Sequence, residues 1–322
     1  MKILVYGWYN QNNLGDELFK DSFKQLFPSY DFIFSSYLDK DSFNDIDAVF
    51  IGGGSFLNQP INISDSSILD ELKKLKIFYI GVGSETEIHS HHIQLLLSAE
   101  LIAIRNDIGY ERLKNINPNV IVIPDLVYNL SVGDKLPKLS KSILIIPNVL
   151  VVPKLHEPHW KHAALEYFKS EFTQFINELL KDQFTIHFLS LCNNEQLNDN
   201  YFSGELISRL TYLSADGKFI LENPTDFKSV TSLISKYDAV ITQRYHGSIL
   251  SEIADVPSLT IHHHDKLKNV SGRTISYYGI SKNLLLNELN LILKRKVHAI
   301  LPIDRNIFEI LKQKVEHALC RN

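Results

Sequence analysis

The sequence predicts an α/β protein built of two Rossmann-like domains facing each other across a cleft. Short apolar, β-branched runs recur along the whole chain. Each is followed by a loop and an amphipathic stretch, and the pattern fills both halves. Residues 131–142 (SVGDKLPKLSKS) are polar, contain Gly and Pro, and read as the linker between the halves. The 322 residues are enough for two α/β domains of ordinary size. The domains are therefore set at 1–135 and 136–300, with a C-terminal helix in 301–322 packing on the body.

In the first half, Lys2–Tyr6 (KILVY) reads as the opening strand. Gly7, Asn10, Asn12, Asn13 and Gly15 form the following loop, and Asp16 stands where it would cap a helix with Leu18, Phe19, Phe23 and Leu26 on its apolar face. Asp31–Ser35 is the next strand. Ala48–Ile51 (AVFI) is a buried strand that runs into Gly52, Gly53 and Gly54. Such a triplet permits close approach of a ligand to backbone amides, or a tight turn. The dinucleotide spacing G-x-G-x-x-G is not completed, because Leu57 holds its last position.

Glu71–Lys76 ends a helix, and Ile77–Val82 is a strand followed by Gly83, Ser84 and Glu85. His89, His91 and His92 read as a solvated helix start; a metal is not expected, since no carboxylate or cysteine stands at a recognisable spacing. Leu101–Arg105 is a strand, Ile108–Lys114 a helix, and Val120–Ile123 a strand ending at Pro124 and Asp125. Asp125 is expected to accept backbone N–H groups.

The second half begins with the strand Ile143–Ile146. A helix over Ala163–Lys181, a strand Thr185–Leu189, a helix Leu206–Leu213, a strand Phe219–Leu221 and a helix Asp226–Lys236 follow. Tyr237 to His264 then carries the densest chemistry. Ala239–Thr242 is a strand, Ser248–Ala254 a helix broken by Pro257, and Ser258–His262 the next strand, so Arg244, Tyr245, His246 and Gly247 fall in a loop. A loop leaving a parallel strand lies at the carboxyl edge of the sheet, where open α/β folds bind ligands. Helix-start amides attract anions there. Arg244 adds a planar cation, His246 a proton carrier near neutral pH, and Gly247 room for close approach. The plainer alternative is an Arg244 salt bridge and a satisfied, half-buried His246. Lys266 and Lys268, a helix over Lys282–Leu293 and a last helix over Asp304–Leu319 complete the chain.

Composition sets bounds. Hydrophobic content of 44% and charged content of 22% are those of a soluble globular protein. A net charge of -4 gives no general attraction to nucleic acid, and none is expected as a partner. Cys192 and Cys320 form no metal or redox motif, so a reducing compartment fits. The apolar run at the N-terminus is too short for a signal-peptide core, and no apolar segment is long enough to span a bilayer. A cytoplasmic location is expected, with attachment to the membrane face through a partner or a lipid-linked substrate left open. A homo-oligomer is also left open.

Several motifs stand in one order: Asn13-Leu14-Gly15-Asp16-Glu17, the Gly52-Gly53-Gly54 turn, Arg105 before Asp107, Pro124-Asp125, and Arg244-Tyr245-His246-Gly247. Together, over roughly Lys2 to Val270, they resemble the polysaccharide pyruvyltransferase family. The resemblance implies a GT-B-like fold with the active site between its domains, phosphoenolpyruvate as donor, a pair of sugar hydroxyls on a glycan or lipid-linked saccharide as acceptor, and a pyruvate ketal as product. No cofactor is implied.

Arg244 and His246 match the family's Arg-x-His element, linked to donor binding and catalysis. The family often has Leu where this chain has Tyr245, and an Arg at the end of the second domain's first strand, where this chain has Pro147 and Asn148. Arg105, Lys154 and Lys266 are candidate substitutes. The expected catalytic residues are His246, Arg244, Asp16 and Glu17, the last two as proton acceptors unless they merely cap or charge the helix start. Arg244, Tyr245, Gly247, Ser248, Arg105, Lys266, Gly53 and Gly54 are expected on the donor. Trp8, Tyr9 and Asn13 are expected on the acceptor. The aromatic residues, with Tyr6, would stack on sugar unless they are core. His159 and Trp160 are candidates for an acceptor lip. Two other functions remain: a glycosyltransferase using a nucleotide sugar, and a non-catalytic glycan-binding protein.

Overall fold

The computed structural model describes residues 1–84, 87–148, 158–195, 198–211, 220–222, 224, 226–263, 265–268, 270, 272–294 and 304–321. It divides into two compact units, 1–130 with 302–322, and 131–301.

The first unit carries β1 (Lys2–Tyr6), α1 (Leu14–Leu26), β2 (Asp31–Ser35), β3 (Ala48–Gly54), α2 (Ser67–Leu72), β4 (Lys76–Val82), α3 (Ser90–Leu96), β5 (Leu101–Ile104), α4 (Tyr110–Ile116) and β6 (Val120–Val122). The second carries β7 (Ser142–Ile146), α5 (Pro158–Lys181), β8 (Thr185–Leu189), α6 (Asp199–Ser208), β9 (Ile220–Glu222), α7 (Phe227–Ile234), β10 (Ala239–Thr242), α8 (Tyr245–Ile253), β11 (Ser258–His262), β12 (Arg273–Ser276) and α9 (Lys282–Lys294). The last helix, α10 (Asn306–Cys320), belongs to the first unit. Lys76 helps hold it there, donating to the carbonyls of Ala318 and Leu319 at 3.0 Å. A cation at a helix C-terminus is favoured by the helix dipole.

Both sheets have six strands, in the orders β2-β1-β3-β4-β5-β6 and β12-β11-β10-β7-β8-β9, and every pairing is parallel. Parallel strands are covered on both faces, which explains their unbroken apolar runs. In the first unit, Val49, Ile51, Tyr79 and Ile102 join one core with Ile68, Leu95 and Leu113 of α2, α3 and α4. Phe50, on the opposite face, meets Phe23 of α1 at 5.9 Å between ring centroids. In the second unit, Phe168, Phe172, Phe175 and Leu179 line one face of α5 and pack on Ile143, Ile145 and Ile241. Among the described residues, no helix is long and apolar enough to cross a membrane.

Several boundaries differ from expectation. Strand β12 is an additional edge strand, paired in parallel with β11. Helix α2 ends at Leu72, because Lys76 already belongs to β4. Helix α4 begins at Tyr110 after Gly109, whose left-handed backbone (φ 79°) ends the preceding turn. Helix α5 starts at Pro158, a residue suited to a first helical position. Helix α6 covers Asp199–Ser208, not Leu206–Leu213, because Asn198 caps it by accepting from the Tyr201 N–H at 3.0 Å. Residues 212–219 lie outside those described.

His89 caps α3, as a helix start requires, but His92 is not solvated: it is fully buried and its Nδ1 lies 3.1 Å from the Tyr79 hydroxyl. Burial, and then the neighbouring His89 and His91, lower its pKa from 6.5 to about 4. The folded state thus resists a proton that the unfolded chain accepts. The contribution of His92 is complete above pH 6.5 and is lost as pH falls towards about 4. His92→Gln should remove about 3 kcal/mol of the acid dependence between those pH values, read by urea unfolding at a series of pH values.

The glycine at position 52 offers a second check. A Cβ there would stand 2.1 Å from the Ile80 carbonyl oxygen. That oxygen belongs to the adjacent strand and has no flexible end to move. Gly52→Ala is expected to cost about 3 kcal/mol in chemical denaturation.

Candidate active site

In the second unit the strand order reverses between β7 and β10. Chain segments leaving these two strands therefore flank a crevice at the carboxyl edge of that sheet, the usual ligand position in an open α/β fold. Gln243 and Arg244 leave β10 there, and Pro147 and Asn148 leave β7.

Arg244 is the N-cap residue of α8, extended at φ -103° and ψ 136°. Tyr245, His246 and Gly247 form the first helical turn, which corrects the expected loop. Two contacts leave no space for one. The Thr242 hydroxyl accepts the Arg244 N–H at 3.0 Å and lies 3.1 Å from the Arg244 carbonyl, to which it donates. A Cβ at Gly247 would stand 2.2 Å from the same hydroxyl oxygen and 3.3 Å from Ile146 Cδ1. Gly247 thus admits the strand's own side chain to the helix backbone, where a ligand was expected. Ser248 is fully buried in the body of α8.

Arg244, Tyr245 and His246 are half-buried, with the Tyr245 and His246 rings edge-on at 5.4 Å. The guanidinium forms a fork with Asp199: Nε donates to Oδ2 at 3.1 Å and Nη2 donates to Oδ1. Oδ2 also accepts the N–H groups of Leu191 and Cys192 at 3.2 and 3.0 Å. Burial pushes the Asp199 carboxyl above its usual pKa, and the charge and hydrogen bonds of Arg244 pull against it. Four donors facing one carboxyl group match its ionised, acceptor-only form. The plainer reading of Arg244, a salt bridge, is therefore present; its side chain is 12% exposed and that of Asp199 0%.

Gln243 is 2% exposed. Its Oε1 accepts the Asn148 N–H at 3.3 Å, which joins the ends of β7 and β10 across the strand-order reversal. Its Nε2 is buried and has no acceptor within reach among the described residues. A buried, unmet amide donor is costly, so it favours a ligand or water oxygen. Lys266 is half-buried in the short 3-10 turn Asp265–Leu267 after β11. Lys154 and the side chain of His159 lie outside the described residues, while Trp160 of α5 is 60% exposed.

In the first unit the order reverses between β1 and β3, which places the first loop beside the glycine turn. Asn13, not Asp16, is the N-cap of α1; its side-chain amide donates to Asp16 Oδ2 at 2.5 Å. Asp16 is 9% exposed, and its Oδ1 lies 3.6 Å from where a Cβ on Gly54 would stand. Gly53 and Gly54 have left-handed φ values of 76° and 133°. The space beside Gly53 is filled by Phe19 and the Tyr9 hydroxyl, so this glycine serves the turn; beside Gly54 the Phe56 ring stands 3.3 Å from where a Cβ would be.

Other expected residues sit differently. Tyr9 is a core ring, fully buried, with its hydroxyl donating to the Gly52 carbonyl at 2.8 Å, and cannot stack on a sugar. Tyr6 is also core, while Trp8 is 42% exposed. Glu17 pairs with Lys20 at 2.5 Å and accepts the Asn10 N–H, a helix-start role. Arg105, expected on the donor, is sealed inside the first unit. Its Nη1 lies 3.4 Å from Asp125 Oδ2, its Nη2 donates to Ser55 Oγ, and its side chain is 2% exposed. Asp125 accepts the Val127 N–H at 3.0 Å, as its expected role requires. Asp199 and Gln243 carry no motif in the sequence; the Asn198-Asp199 pair, a helix-start signal, was the one clue to the former.

Solved structures share this fold. The UDP-GlcNAc 2-epimerase of Methanocaldococcus jannaschii superposes with a TM-score of 0.59 at 11% identity, over 98% of this chain and 99% of that one. The UDP-GlcNAc 2-epimerase of Neisseria meningitidis gives 0.56 at 12% identity, over 98% and 100%. Anabaena HepE, solved with UDP-glucose, gives 0.55 at 10% identity, over 99% of each. The fold is thus GT-B-like. No curated protein matches the sequence. The family model for polysaccharide pyruvyl transferase matches residues 13–265, and the chain belongs to that family.

Proposed function

We propose that the protein transfers a pyruvyl group from phosphoenolpyruvate to two hydroxyls of a saccharide, forming a ketal and releasing phosphate. The observation that carries this reading is Arg244 as the N-cap of α8, with His246 in the first turn, at the strand-order reversal of a family member. The helix-start dipole, the outer edge of Arg244 and the Gln243 amide supply donors for an anionic group.

The chemistry uses these residue types in sequence. His246 delivers a proton to the methylene carbon of the enol, leaving an oxocarbenium-like centre at the neighbouring carbon. Donors around Arg244 stabilise the anionic groups as charge develops. One acceptor hydroxyl attacks that centre, phosphate departs, and the second hydroxyl closes the ring, its proton returning to His246. Asp16, beside Gly54, is assigned to take a proton from an acceptor hydroxyl, and Trp8 and Asn13 to the saccharide. Lys266 is assigned as a further cation for the donor. The acceptor is a glycan or lipid-linked saccharide, and the enzyme acts in the cytoplasm.

A second reading is a nucleotide-sugar glycosyltransferase. It is favoured by one observation: Asp199 already neutralises Arg244, and Pro147 and Asn148 supply no second cation. The Neisseria meningitidis epimerase and Anabaena HepE, of the same fold, were solved with UDP-GlcNAc and UDP-glucose.

Thermal unfolding with phosphoenolpyruvate and with a nucleotide-sugar panel separates the two, because a ligand of the folded state raises the melting temperature. A shift with phosphoenolpyruvate that Arg244→Ala abolishes is expected; a shift with a nucleotide sugar alone rejects the proposal. With an acceptor identified, His246→Gln should slow phosphate release by about 10²- to 10⁴-fold with an unchanged melting temperature. A rate within a fewfold of wild type would remove His246 from the proton transfer.

A further inference from the structure

We infer that Asp199 is a positioning residue that makes Arg244 a two-edged group, with one edge locked into the protein and the other presented to an oxyanion of the donor substrate. This rests on the reading of the α8 start as the donor site.

A guanidinium has a side edge, formed by Nε and one Nη, and an end edge, formed by the two Nη atoms. Asp199 takes the side edge through Nε and Nη2. Nη1 makes no hydrogen bond among the described residues, so the end edge remains available for a second fork. The 12% exposure of the Arg244 side chain, against 0% for Asp199, places the solvent-reached part on the arginine.

Asp199 is itself fixed from several directions. Its carboxylate accepts from the amides of Leu191 and Cys192, and its own N–H donates to the Cys192 carbonyl at 2.8 Å. It is the first residue of α6, where the helix dipole favours a negative charge. Ser203 Oγ donates to its carbonyl at 2.8 Å. The carboxylate therefore has little freedom to follow Arg244; the arginine must conform to it.

A purely stabilising role explains this poorly. A buried ion pair gives little net stability over apolar residues of the same volume. Holding a long, flexible side chain in one orientation before the ligand arrives does help binding, because that ordering cost is already met. The pair also carries no net charge, so the remaining edge binds through direction and not through excess charge.

The test compares wild type, Asp199→Asn, Arg244→Lys and the double variant. Without any ligand, ¹⁵N spectra of the arginine side chains should show a slowly exchanging Arg244 Nε–H, assigned by its loss in Arg244→Lys. Asp199→Asn should make that signal exchange fast. Phosphoenolpyruvate affinity should fall about 100-fold in Asp199→Asn. Arg244→Lys keeps a cation for Asp199 but has no second edge, so it should fold like wild type and lose a similar factor. The double variant should bind no worse than the weaker single variant, whereas a merely structural Asp199 would add a loss of its own.

A retained slow Nε–H in Asp199→Asn, or wild-type affinity in Arg244→Lys, overturns the inference. If Asp199→Asn does not fold, the Arg244→Lys affinity decides: its loss with normal folding supports the second edge, and its retention refutes it. If wild type ignores phosphoenolpyruvate while the Nε–H behaves as expected, the donor assignment fails and the hold of Asp199 on Arg244 stands.

Discussion

The first turn of α8 lies against the end of β10 with only the Thr242 side chain between them. Gly247 makes this possible, since any Cβ would collide with the Thr242 hydroxyl. That hydroxyl also holds both backbone groups of Arg244. The strand therefore turns into the helix within two residues, and Arg244 becomes the N-cap. Everything distinctive about the crevice follows from this closeness. The helix-start amides, the arginine and His246 are brought to one edge of the sheet because no loop separates them. A longer connection would have put the same residues on a mobile segment.

The first unit uses glycines to the same end with a different result. Gly52 passes under the Ile80 carbonyl, and Gly53 gives its side-chain space to Phe19 and Tyr9. The turn is filled by the protein itself, and a Cβ on Gly54 would stand 3.3 Å from Phe56 Cδ1 and 3.6 Å from Asp16 Oδ1. Each unit also holds a buried arginine–carboxylate pair. Arg105 and Asp125 are sealed, at 2% and 1% side-chain exposure, and tie the end of β5 to the glycine turn through Ser55. Arg244 is partly open. Burial of the whole pair suits a crosslink, while burial of the carboxylate alone leaves the cation a face for another partner.

The missing arginine after β7 has a structural counterpart. Asn148 donates its backbone N–H to Gln243, which orients the glutamine amide and leaves its Nε2 without an acceptor. A buried neutral donor thus stands at the strand-order reversal. With Arg244 balanced by Asp199, the crevice depends on directed hydrogen bonds and the α8 dipole more than on net charge. That balance bears directly on which donor the enzyme accepts, since a dianionic phosphate and a sugar diphosphate place different demands on it.

The sequence by itself determined the alternation of strands and helices, because buried parallel strands must be apolar throughout and their helices apolar along one stripe. It also determined the family, through short motifs whose order survives even where single residues change. The tertiary structure alone decided what each motif residue does. Tyr9 and Trp8 are neighbours in the chain, yet one is core and the other exposed. Arg105 and Arg244 look alike as residues following strands, yet one is sealed and the other partly open. Asp199 lies 45 positions from Arg244 and carries no signature. Pairings of this kind depend on which strands lie side by side, and local pattern holds no record of that.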